Sequence, residues 1–187
     1  MASVVRGHFS PNNPYLDKPQ QVGHGATISA PHMHGATLEL MVDRLQEGAR
    51  CLDVGMGSGY LTACMAIMAG RTGYTVGIDI VEGLVKFAEA NMKKDPRLRE
   101  LMDTNHLVLV CADGKDGHEA LGPYDVIHVG GAAPEVPSAL TKQLKVGGCL
   151  VMPVGTEEGQ TLKVVEKQNG GTFTVRNVLG VIYQQLK

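Results

Sequence analysis

Short apolar runs alternate with longer amphipathic stretches through most of the chain. Residues 50–54, 75–80, 107–112, 124–129 and 149–154 are the apolar runs. Their length and aliphatic content predict strands. Between them, residues 60–68, 82–94 and 136–144 predict helices. Upstream, Leu38, Met41, Val42 and Leu45 fall on one stripe of a helix over 34–45, with Pro31 suited to its first turn and Ser29 or Ala30 before it. Two final runs, 161–167 and 172–183, flank Asn169-Gly170-Gly171 and predict a hairpin. Alternating βα units closed by a hairpin imply an α/β fold, a doubly wound and mostly parallel sheet with a C-terminal antiparallel edge.

Residues 1–31 break this pattern. Pro11, Asn12, Asn13, Pro14, Pro19 and Gly23 mark turns, while Tyr15, Leu16, Val22 and Ile28 offer apolar anchors. Such a segment is expected to lie packed over the domain and to serve function. At 187 residues the chain reads as one domain: a covering segment and first helix (1–45), a βα core (46–156) and C-terminal strands (157–187).

Composition narrows the function classes. Apolar residues make up 43%, enough for a sizeable core, and a net charge of -2 gives no general pull toward nucleic acid or anionic lipid. No apolar run reaches the ~18 residues of a membrane span, and the first residues lack the apolar core of a secretory leader. Cys51, Cys64, Cys111 and Cys149 stand far apart and read as reduced core residues of a cytoplasmic protein. His32 and His34 could ligate a metal, but no third ligand lies near them in sequence. Capping or ligand contact is the preferred reading, and no metal is expected.

The chemistry concentrates in Asp53-Val54-Gly55-Met56-Gly57-Ser58-Gly59-Tyr60. A strand enters it and a helix leaves it, the usual cradle for a nucleotide-like ligand. Glycine suits a turn that needs φ > 0 and close approach of a ligand to the backbone. A dinucleotide fingerprint requires a third glycine where Tyr60 stands, which argues against a nicotinamide-dependent oxidoreductase. The D-x-G-x-G-x-G pattern instead resembles the first motif of class I S-adenosyl-L-methionine-dependent methyltransferases. That cofactor carries no pyrophosphate, but it has an ammonium group that Asp53 could hold. A turn that merely joins strand to helix is the plain alternative. Asp79, about 20 residues past the glycines, is placed to accept from ribose hydroxyls or to cap the helix over 82–94, and the glycine turn favours the ribose. Asp113-Gly114, at the next strand end, would border the adenine or simply make a turn. Asn13-Pro14-Tyr15 partly resembles the Asn-Pro-Pro-aromatic string of nucleic-acid amino-methyltransferases. It lacks one proline and lies upstream of the glycine turn, and aromatics are only 4% of the chain, so a plain proline turn is preferred.

Taken together, Asn13-Pro14-Tyr15, the string Ala26-Thr27-Ile28-Ser29-Ala30-Pro31-His32-Met33-His34, the glycine turn, Asp113-Gly114, Pro123-Tyr124-Asp125, Gly131-Ala132-Ala133-Pro134 and Pro153-Val154-Gly155 resemble the protein-L-isoaspartate (D-aspartate) O-methyltransferase family over nearly the whole chain. The resemblance implies methylation of the free α-carboxylate of L-isoaspartyl residues in damaged proteins and peptides, with D-aspartyl residues as a further substrate class. S-adenosyl-L-homocysteine would be the product of the cofactor. It implies Ser29 as the active-site residue, and contact with the cofactor by Ala26, Thr27, Ile28, His34, Ser58, Asp79, Asp113 and Gly114. Asp53, Gly55, Gly57 and Gly59 join them through the glycine motif. The family is mainly monomeric and cytosolic, without nucleic-acid or membrane partners. Two departures stand out. Val5-Arg6 occupies the place where the family often has Asp-Arg, and the sequence ends close after Tyr183, where some members continue over the cofactor. A binding module that keeps the fold without the reaction is the second alternative.

Overall fold

The computed structural model describes residue 1 and residues 3–186. Two short strands, β1 (Gln20–Gly23) and β2 (Ala26–Ile28), form an antiparallel hairpin ahead of helix α1 (Pro31–Met41). The main sheet then builds through β3 (Arg50–Val54), α2 (Tyr60–Ala69), β4 (Tyr74–Asp79), α3 (Glu82–Met92), α4 (Pro96–Asp103), β5 (Leu107–Cys111), β6 (Tyr124–Val129), α5 (Ser138–Lys142), β7 (Leu144–Thr156), β8 (Gly159–Lys167) and β9 (Phe173–Val181). Its strand order is β5-β4-β3-β6-β7-β8-β9. The pairs from β5 to β7 are parallel, and β8 and β9 add an antiparallel edge.

The central strands β3, β4 and β6 are buried along nearly their whole length. Helices cover both faces, so these strands carry continuous apolar runs rather than alternation. One core joins α1, α2 and α4 to the sheet through Leu38, Met41, Cys64, Met65 and Leu98. The other joins α5 through Leu52, Ile78, Ile127, Leu140 and Leu150.

Several elements differ from the sequence pattern for identifiable reasons. Helix α1 stops at Met41, and a turn closed by the Leu45 N–H on the Met41 carbonyl (2.9 Å) delivers Leu45 to the core without continuing the helix. Helix α4 was not foreseen, although Asp95 accepts from the Arg97 N–H (3.0 Å) and Pro96 opens the helix, both helix-start signals. Strand β7 begins at Leu144, not at 149. Gly147 and Gly148 lie inside it, at a register shift against β6, and make a bulge. In the leader, Tyr15 is 70% and Leu16 47% exposed, so neither anchors it. Val4, Phe9, Val22 and Ile28 do. Asp17 reaches from the leader to the start of α1, accepting from the His32 N–H (3.0 Å) and ring (2.8 Å).

Cys51, Cys64 and Cys149 are buried and unpaired, whereas Cys111 is exposed at the end of β5, contrary to the expected core position. Among the described residues no helix is long and apolar enough to cross a membrane, and no three His, Cys, Asp or Glu side chains converge as metal ligands.

Gly59 starts α2 with φ +85, and a Cβ there would stand 2.7 Å from the Met92 Cε and 2.9 Å from the Ala88 Cβ of α3. The backbone conformation and the helix contact both exclude a side chain. Gly59→Ala is therefore expected to lower stability by about 2–4 kcal/mol, from φ strain and overpacking together. Urea denaturation measures it, and an unshifted midpoint would contradict this packing.

Candidate active site

Strands β3 and β6 are neighbours, but the chain leaves them toward opposite sides of the sheet. This is the switch point where open α/β sheets hold ligands at their carboxyl ends. Gly55 and Gly57 turn the chain there with φ +74 and +55. The Gly55 and Met56 N–H groups donate to the Ile78 carbonyl at 2.8 and 3.0 Å, and the Gly130 N–H donates to the Val54 carbonyl at 2.7 Å. A cavity of ≈ 340 Å³ opens above this junction, with Gly55, Gly57, Asp79, Gly114, Ser29 and Tyr183 in its wall. No atom lies within 4 Å of where a Gly57 Cβ would project, so that backbone is open to a ligand.

Asp79 ends β4 and is 6% exposed. One carboxylate oxygen accepts from the Gly57 N–H and the other from the Val81 N–H, both at 3.0 Å. Val81, not Asp79, is the cap of α3, so the helix-cap alternative does not describe this geometry. Burial raises the Asp79 pKa more than the two N–H donors lower it. Gly114 also faces the cavity, and any Cβ there would overlap the Val54 side chain. Asp113 is exposed and accepts from the Lys115 N–H at 2.9 Å, closing its own turn. Neither Asp113 nor Gly59 is among the residues lining the cavity.

Behind the cavity lies a second, polar space of ≈ 40 Å³. Ser29, His34, Asp53, Ser58, Tyr60 and His128 line it, with Thr27 and Ile28 beside them. Asp53 accepts from the Thr62 hydroxyl at 2.5 Å and pairs with the His128 Nδ1 at 2.6 Å. Adjacent register on β3 and β6 sets that pair. Buried Arg6 reaches in from the leader, donating to the Pro14 carbonyl (2.6 Å), the Ser29 carbonyl (2.5 Å) and the His34 Nδ1 (2.8 Å). Its guanidinium lies 4.9 Å from the centre of the Tyr60 ring. Burial and Arg6 pull the His34 pKa down to about 3.

Two segments cover the site. The β1–β2 hairpin brings Ala26, Thr27 and, just beyond it, Ser29 to the cavity. Its tip leans on α3, where a Cβ on Gly83 would stand 2.5 Å from the His24 ring. The chain after β9 returns to the end of β6 through the Ala132 N–H on the Gln184 carbonyl (2.8 Å) and the Leu186 N–H on the Ala132 carbonyl (2.7 Å). The Gln184 amide donates to the Gly25 carbonyl at 3.2 Å, joining the two covers. Buried Gln160 holds Tyr183 by both backbone groups, at 2.7 and 2.9 Å. Burial raises the Tyr183 pKa, with the Ser29 hydroxyl beside it acting in the other direction.

Of the residues singled out from sequence, Ala26, Thr27, Ser29, Gly55, Gly57, Asp79 and Gly114 meet at the cavity, while Ile28, His34, Asp53 and Ser58 meet at the inner space. Arg6, His128 and Tyr183 were not singled out. Nothing local marks Arg6, since its partners lie 8 to 28 residues away. His128 was recoverable, because it sits opposite Asp53 once the two strands are paired.

The protein-L-isoaspartate(D-aspartate) O-methyltransferase family matches residues 1–187. The chain is 46% identical over 171 residues to a protein-L-isoaspartate O-methyltransferase of Caenorhabditis elegans, covering 91% of this chain and 75% of the relative. It is 46% identical over 188 residues to one of Triticum aestivum, covering 100% of this chain and 81% of the relative. A structure described as the Plasmodium falciparum enzyme in complex with S-adenosyl-L-homocysteine superposes with a TM-score of 0.91 at 34% identity, covering 100% of this chain and 87% of that one. A Thermotoga maritima S-adenosyl-L-methionine-dependent O-methyltransferase shares the fold, with a TM-score of 0.57 at 18% identity over 84% of this chain and 63% of that one. Matched from end to end and nearly half identical to two of its members, the chain belongs to the protein-L-isoaspartate(D-aspartate) O-methyltransferase family.

Proposed function

We propose that this enzyme transfers a methyl group from S-adenosyl-L-methionine to the free α-carboxylate of L-isoaspartyl residues in damaged proteins and peptides, with D-aspartyl residues as a second substrate class. The neighbouring backbone nitrogen then attacks the ester carbonyl, methanol leaves, and water opens the succinimide partly to aspartate. Beyond family membership, one observation carries the reading: Ser29 lines both the cavity and the inner space, the two chambers a nucleoside joined to an amino acid would need.

The residues fit that cofactor. The open Gly57 backbone admits a ligand against the turn, and Asp79 offers a carboxylate to ribose hydroxyls. Asp53 would take the ammonium, with Thr27, Ile28, His34 and Ser58 around it. Ala26, Gly55 and Gly114 would border the nucleoside. Asp113 and Gly59 act from outside the lining by shaping their turns. Bound there, S-adenosyl-L-methionine supplies a methyl group on positively charged sulfur. The acceptor carboxylate has a reference pKa of ~3.3–3.7 and is already ionised at neutral pH, so no side chain need act as a base. The Ser29 hydroxyl donates to that carboxylate and holds it in line, while Arg6 fixes the Ser29 backbone from behind. The hairpin and the returning tail exclude water. The net charge of -2 supports a protein substrate over nucleic acid or membrane, and the family resemblance supports a cytoplasmic monomer.

Methyl transfer from labelled cofactor to two peptides, identical except for isoaspartate or aspartate at one site, tests the reaction. Base-labile label on the isoaspartyl peptide alone is expected, and label on neither peptide sinks it. Ser29→Ala should lower turnover and leave the dissociation constant for S-adenosyl-L-homocysteine within about twofold, because a lost hydrogen bond to the acceptor acts on the reacting carboxylate. Weakened binding with intact turnover would contradict that role. Asp79→Ala should weaken S-adenosyl-L-homocysteine by about 100-fold, since two hydrogen bonds to a charged group contribute roughly 1.5 kcal/mol each or more. An unchanged constant by calorimetry would reduce Asp79 to a brace for the glycine turn.

A further inference from the structure

Arg6 is 2% exposed, yet among the described residues no carboxylate lies within ion-pair distance of it. Its partners are two carbonyls, one imidazole nitrogen and the face of Tyr60. A buried cation without an anion is costly to the fold. Stapling the leader alone would not require a charge, since neutral donors satisfy carbonyls as well.

The imidazole contact is more specific. A guanidinium can only donate, so the His34 Nδ1 must accept, and the single proton of a neutral ring then sits on Nε2. His34 is held neutral by burial, by Arg6 and by His128. Its Nε2 has no protein partner among the described residues, while the ring lines the inner space. The other titratable groups facing His34 are Tyr60, whose ring centre is 5.1 Å away, and the Asp53–His128 pair across the space. The lining thus includes both an N–H backed by an unpaired positive charge and a carboxylate. An amino acid has the complementary polarity, carboxylate toward His34 and ammonium toward Asp53.

We propose that Arg6 is a positioning residue for the cofactor: by donating to Nδ1 it locks His34 as the Nε2–H tautomer, which receives the carboxylate of the cofactor's amino-acid end. This rests on the cofactor reading above and adds a residue to it. The test compares S-adenosyl-L-homocysteine with 5′-methylthioadenosine, which lacks the amino-acid end, by calorimetry on the full chain at pH 8.0. Arg6→Met should weaken S-adenosyl-L-homocysteine about tenfold or more at pH 8.0, the worth of one charge-assisted hydrogen bond. It should leave 5′-methylthioadenosine within about twofold. Equal weakening of both ligands would make Arg6 a structural staple only, and weakening of neither would overturn the proposal. Wild-type protein that binds neither ligand would instead remove the cofactor reading itself. Should Arg6→Met fail to fold, the imidazole nitrogen spectrum of wild-type protein still decides. A protonated Nε2 and bare Nδ1 on His34 are expected, and a protonated Nδ1 overturns the assignment.

Discussion

The structure depends on how closely two strand ends approach at the centre of the sheet. A Cβ on Gly130 would stand 2.6 Å from the Gly55 carbonyl, and Gly55 itself turns with φ +74. Both positions therefore require glycine, one for space and the other for conformation. Because β3 and β6 can approach this far, the register places Asp53 beside His128 and the two form their pair. Because the turn after β3 stays tight, the Gly57 N–H reaches the Asp79 carboxylate at the end of β4. Three strand ends are thus tied together by backbone geometry before any ligand contact is considered.

A second tier is laid over this frame by the leader. Tyr60, the residue that breaks the dinucleotide fingerprint, has a positive role here. Its ring meets Phe9 at 5.6 Å and His34 at 5.1 Å, with Arg6 over its face. A glycine there would satisfy a pyrophosphate-binding turn but would leave the leader without a floor. Tyr60 thus departs from the dinucleotide pattern and also forms the platform for the segment bearing Ser29.

The parallel sheet, its antiparallel edge and the glycine turn were legible because each rests on local signals: apolar runs of strand length and glycines at fixed offsets. The inner space was only half legible. Asp53 lies inside the motif, but its partner His128 is 75 residues away, and Arg6 is 28 residues from His34. Nothing in the composition near Arg6 distinguishes a buried guanidinium from a surface one, because its burial is a property of the packed leader. Tyr15 and Leu16 misled for the opposite reason. They are apolar residues in a stretch where apolarity was the only available guide, and the chain there is held by polar contacts, Arg6 to Pro14 and Asp17 to α1. Helix α4 is too short for periodicity to find, and only its Asp-Pro start marks it.

The electrostatics of Asp79 show what the site gives up for binding. Its pKa is raised in the fold, burial outweighing two N–H donors. For a carboxyl group this sign means that the protonated form is favoured by folding, so the stability it contributes is present below the unfolded pKa and lost as pH rises through the folded one. At neutral pH the ionised Asp79 is therefore a net burden on the protein by itself. Two further donors on its oxygens, such as a pair of ribose hydroxyls, would relieve that burden by favouring the charged form. The same logic holds for Arg6, a buried cation with no anion of its own. In the proposed reading, a ligand carrying hydroxyls at one end and a carboxylate at the other would relieve both strains at once. That would be a physical reason for the fold to keep two poorly solvated charges rather than replace them with apolar packing.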